Sequence, residues 1–101
     1  MVAKQKLLEP IHPGEVLLED FMKPLSIRIN RLVRDIAVPR NRISSIVNGR
    51  RAISADTALW LGKYFGVSPE VWVWFQGGYD LRVAQQTVGV GIKKRVRQYA
   101  V

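Results

Sequence analysis

Cysteine is absent from this 101-residue chain, so disulfides, thiolate metal sites and cysteine nucleophiles are all excluded. The absence fits a reducing compartment. Long apolar runs are missing as well. No stretch approaches the roughly 18 apolar residues of a membrane span, and Met1 to Glu9 lacks the apolar segment of a signal peptide. A soluble, cytoplasmic protein with no membrane partner is expected. His12 is the one histidine, with no acid pair beside it, so no metal site is expected and its role is to begin the first helix. No nucleophile–base constellation, glycine-rich phosphate loop or paired-carboxylate motif appears. Asp56, Asp80 and Arg82 read as surface or helix-end charges. Neither catalysis nor a bound cofactor is expected.

Acids are scarce. Eight stand against 16 lysines and arginines, for a net charge of +8. Between Leu25 and Ile53 the bases are Arg28, Arg31, Arg34, Arg40, Arg42, Arg50 and Arg51, opposed only by Asp35. A second cluster, Lys93, Lys94, Arg95 and Arg97, closes the chain. Charge alone would serve equally as a solubilising surface. Its concentration on one supersecondary unit favours a polyanionic partner.

At this length one domain with a single core is expected, and its punctuation marks an all-α bundle of about five helices. Pro13 opens the first, in which Val16, Leu17, Phe21 and Met22 recur at helical spacing up to Pro24. Ile29, Leu32, Val33 and Ile36 share a face of the second. Pro39 opens the third, which carries Ile43, Ile46 and Val47 and stops at Asn48-Gly49. Ser54 is the expected N-cap of the fourth, which ends at Gly66. Ser68-Pro-Glu70 starts the fifth, expected to run to about Gln86 and to give way to a flexible joint over Val88 to Gly91. Its Gly77-Gly78 pair marks a kink, a close contact or a weak point.

Residues 29 to 48 fit a helix-turn-helix. From Ile29, the offsets that hold two such helices at their crossing angle fall on Leu32, Ile36, Val38, Ile43 and Ile46, all branched aliphatics. With Ile43, Ile46 and Val47 packed inward, the third helix presents Arg40, Asn41, Ser44, Ser45 and Asn48 as candidates for contacts to DNA bases. Arg28, Arg31, Arg42, Arg50 and Arg51 are candidates for phosphates, where they add affinity but little sequence information. In the fifth helix Trp72, Phe75 and Tyr79 follow helical spacing, for the core or a dimer seam. Trp74 lies about 200° away, so both indoles cannot meet the same neighbour. Trp72, Trp74, Phe75 and Tyr79 are therefore the dimer-interface candidates.

Several segments together carry a resemblance: Ile11-His-Pro-Gly-Glu15, Arg42-Ile-Ser-Ser-Ile-Val-Asn-Gly49, Ile53-Ser-Ala-Asp-Thr-Ala-Leu59, Tyr64-Phe-Gly66, Ser68-Pro-Glu70, Trp72 and Tyr79-Asp-Leu-Arg82. In this order and spacing, over roughly residues 11 to 84, the chain resembles the HigA family of antitoxins, the VapI-like branch of the Xre/Cro helix-turn-helix proteins. The resemblance implies a lambda-repressor-like fold and a homodimer that represses its own operon by binding an operator in its promoter. It also implies a partner, a HigB-type toxin that cleaves mRNA on the ribosome and is neutralised by complex formation. A dimer paired through the fifth helix implies a palindromic operator. Ala37 stands where the family places a turn glycine. The expected organisation is an N-terminal extension (1–10), the helix-turn-helix domain with its C-terminal dimerisation helix (11–87), and a basic tail (88–101). A stand-alone repressor without a toxin, or a protein-interaction module that has lost DNA binding, remain alternatives.

Overall fold

His12 sets the start of the first helix. Its Nδ1 accepts the Gly14 N–H at 2.9 Å, and Pro13 occupies the first turn, where a missing N–H costs nothing. The computed structural model describes residues 9–100, so most of the expected N-terminal extension lies outside the described residues. Within them the chain forms five helices and no strand. Helix α1 (Pro13–Val16) continues directly into π-helical turns over Leu17–Met22. It is followed by α2 (Ile29–Ile36), α3 (Arg40–Val47), α4 (Ala55–Phe65) and α5 (Pro69–Arg95). Among the described residues no helix is long and apolar enough to cross a membrane.

The first helix departs from the regular spacing expected of it. The Lys23 N–H reaches back five residues to the Leu18 carbonyl at 2.9 Å, and the Ile27 N–H does the same to Met22 at 2.8 Å. This wider turn lets Leu17 and Met22, five residues apart, both be buried. A second steric demand lies one turn earlier. A Cβ on Gly14 would sit 1.7 Å from the Ile46 carbonyl oxygen, so only glycine lets α1 pack this closely on the end of α3.

The helix-turn-helix offsets are the core. Leu32, Val38, Ile43 and Ile46 are buried with Leu17, Met22, Ile53, Ala58, Leu61 and Trp72, and Ile29 and Ile36 pack against them. Ala37 closes α2 in the left-handed conformation (φ 54°, ψ 44°). The family's turn geometry is therefore kept by a residue that adopts it at a cost of about 1–2 kcal/mol. Ser54 stands at the cap position of α4, but its hydroxyl turns to the side chains of Asp56 and Thr57 rather than to a backbone N–H.

Helix α5 corrects two expectations. It does not end near Gln86 but runs unbroken for 27 residues to Arg95, a length of about 40 Å. Val88 to Gly91 is helix, not a joint. The glycines weaken it by about 1 kcal/mol each without breaking its hydrogen bonds, and Lys93, Lys94 and Arg95 complement the negative end of the dipole. Gly77 and Gly78 lie within the unbroken helix and face open space. Second, Trp72 is fully buried in the chain's own core, against Phe21 (ring centroids 4.8 Å apart) and Phe75 (5.8 Å), so it is no interface residue. Trp74 is 69% exposed.

Candidate nucleic-acid interface

Helix α3 is held from behind and open in front. Ile43 and Ile46, three residues apart, are buried on one side. At about 100° per residue the opposite side carries Asn41, Ser44, Ser45 and Asn48, with Asn41 and Asn48 exposed and the two serines half-buried. Arg40 is exposed at the helix start, where no side chain caps the first N–H groups. The short serines leave the middle of this face low, so another surface can approach it closely. The five residues expected at the bases thus share one surface.

The phosphate candidates divide. Arg28, at the cap position of α2, is brought beside Arg40 on a shared depression with Ser26 and Asn30. Arg50 and Arg51 are exposed in the loop after α3 and make no ion pair among the described residues. Arg31 is exposed, with its Nε 3.6 Å from Asp35, whose other commitment is a 2.6 Å hydrogen bond accepted from the Tyr64 hydroxyl. That bond is the main reason the Tyr64 pKa is raised.

Arg42 is a correction. It was expected at a phosphate, but its guanidinium is drawn back onto α4, 5.3 Å from the Trp60 ring centre and with one Nη 3.4 Å from Asp56. Asp56 and Trp60 are four residues apart on one helix face, an acid and an aromatic surface that a guanidinium matches. The Asp56 carboxyl is held below its usual pKa, first by the Ser54 hydroxyl and only slightly by Arg42. Arg42 therefore braces α3 against α4 rather than extending the basic surface.

Gln76 was not anticipated. It is buried on the inner face of α5, and its Oε1 accepts the Ile53 N–H at 2.8 Å while its Nε2 donates to Asp80 at 2.9 Å. The loop that carries Arg50 and Arg51 is thereby tied at its far end to α5. Its near end is set by Gly49 (φ 76°) and by the Arg50 N–H, which returns to the Ser45 carbonyl at 2.8 Å. The available signal was a polar residue one turn after Trp72 on an otherwise apolar face. His12 completes this region. Its ring meets Tyr79 edge-on with centroids 4.9 Å apart, and burial lowers its pKa against the opposing pull of Asp80.

No family model matches the chain. Individual proteins do. It is 43% identical to virulence-associated protein I of Dichelobacter nodosus over 76 residues, 75% of this chain and 70% of that protein. Among solved structures, a HigA-family addiction module antidote protein from Coxiella burnetii is 44% identical, with a TM-score of 0.86 over 90% of this chain and 99% of the other. The Pseudomonas aeruginosa antitoxin HigA, solved with the higBA promoter, is 35% identical with a TM-score of 0.87, over 91% and 100% of the two chains. With both its helix-turn-helix and the full length of these structures matched, the chain belongs to the HigA family of helix-turn-helix antitoxins.

Proposed function

We propose that this antitoxin acts in the cytoplasm as a homodimer that represses its own promoter by seating α3 in the major groove of a palindromic operator, and that it neutralises a HigB-type toxin by binding it. The observation that carries the DNA reading is the outer face of α3: Asn41, Ser44, Ser45 and Asn48, low and polar, flanked by exposed Arg40, Arg28, Arg50 and Arg51. Arg40 and Asn41, at the helix start, are the side chains assigned to base edges. Arg28, Arg50 and Arg51 are assigned to phosphates. The same fold in the Pseudomonas relative was captured with promoter DNA. The dimer is assigned to the exposed face of α5 that includes Trp74.

The test is binding to a labelled duplex from the gene's own upstream region, with scrambled competitor and varied salt. Arg40→Ala is expected to weaken specific binding by about 1–3 kcal/mol and to relax preference at one base pair. Arg50→Ala should weaken all sequences alike and reduce the salt slope by about 1. Arg42→Ala, with its guanidinium on α4, should leave the salt slope unchanged. Equal, steeply salt-dependent binding to both duplexes would end the operator reading. For the toxin, co-expression of this chain with the product of the neighbouring gene should restore growth and yield a purified complex.

A further inference from the structure

Beyond its contact with the bundle, α5 carries an apolar face that its own chain leaves open. Val88, Val90 and Ile92 are exposed, and a helical stretch of this length is marginal in water without packing. On the side of α5 opposite the buried Trp72, residues recur at alternating intervals of four and three. One heptad position holds large side chains: Trp74, Leu81 and Val88, which are 69%, 60% and 49% exposed. The other holds Gly77, Ala84 and Gly91. Nothing in the chain lies within 4 Å of a Cβ placed on Gly77 or Gly91. Both are helical, so neither glycine is required by the fold that contains it.

We propose that this face pairs antiparallel with α5 of a second copy of this chain, centred between Leu81 and Ala84. The orientation rests on the homodimer reading above and deepens it. In this register each large residue meets a small one: Trp74 against Gly91, Leu81 against Ala84, Val88 against Gly77. The layers fill evenly and the helices approach closely. The next layer outward sets Glu70 against Arg95, opposite charges at both ends of the seam. A parallel pair in register would set indole against indole, glycine against glycine, and Glu70 against Glu70. A groove lined by Thr87, Val88, Gly91, Ile92, Arg95 and Val96 opens on this same face. It surrounds the position that receives Trp74 of the second copy, as an aromatic anchor needs.

The lack of cysteine makes disulfide mapping direct. Light scattering on the full chain first reads the oligomeric state, and a monomer at about 100 µM would overturn the homodimer and this seam together. Gly77→Cys and Val88→Cys are then prepared separately, mixed and oxidised. The mixture should cross-link at least about tenfold more than either variant alone. Dimers in which each variant links to itself, or in which none link, would overturn this register while leaving the homodimer intact. A second pair of variants avoids the packed layers. Glu70→Arg and Arg95→Glu should each weaken dimerisation about threefold to tenfold, and the double variant should return to within about twofold of the parent. A double variant as weak as the two effects multiplied would also overturn it.

Discussion

Replacing Gln76 with leucine removes the acceptor of the Ile53 N–H while roughly keeping side-chain volume. That N–H is buried 23 residues away in sequence, bonded at 2.8 Å. An unsatisfied buried donor costs about 1–3 kcal/mol. Loss of the part-buried bond from Nε2 to Asp80 adds about 0.5 kcal/mol. The cavity term is small because leucine fills most of the space. A destabilisation of about 2 kcal/mol follows, which for a domain near 100 residues lowers Tm by about 10 °C. Urea unfolding should show a lower midpoint at unchanged slope. Amide exchange supplies the local readout: the Ile53 amide should exchange faster in Gln76→Leu, while amides in the middle of α2 change only by the global loss. Because the same loop carries Arg50 and Arg51, operator affinity should fall without a change of preferred sequence. An Ile53 amide as protected as in the parent, at unchanged Tm, would refute the reasoning.

Ala37→Gly should stabilise the fold by up to about 1 kcal/mol, since relief of the left-handed strain outweighs the extra freedom of glycine in the unfolded chain. A lower urea midpoint would contradict this. Gly14→Ala should be severely destabilising, by about 3 kcal/mol or more, because a Cβ at 1.7 Å from the Ile46 carbonyl forces α1 off α3. Thermal melting of that variant reads it directly. Stability should also fall on mild acidification. The His12 pKa is lowered in the fold, chiefly by burial, so the neutral ring is favoured. Its contribution is complete above the unfolded value near 6.5 and is lost as pH falls from there toward the lower folded value. His12→Asn, which can still accept the Gly14 N–H, should flatten the stability profile between about pH 7 and pH 5, and an unchanged profile would assign the dependence elsewhere.

Local pattern was enough for much of this protein. The five helices, the αL stop at Gly49, the proline starts and the six apolar offsets of the helix-turn-helix were legible because each depends on neighbours within about one turn. The outer face of α3 followed from the same periodicity once Ile43 and Ile46 were placed inward. What required the tertiary structure involves partners distant in sequence. Arg42 looked like any other arginine until α4 brought Asp56 and Trp60 beside it. Gln76 acquired a role only when α5 lay along the loop at Ile53. Gly14 is obligatory because of a carbonyl on α3, not because of its own turn. The two indoles of α5 could be told to face different neighbours, but only packing against Phe21 placed Trp72 in the core and left Trp74 outside. Glycines 89 and 91 suggested a joint. Their hydrogen bonds hold them in helix instead, since single-residue propensity is worth about 1 kcal/mol and context readily overrides it. Periodicity states which side of a helix is apolar; only the folded chain decides what that side meets.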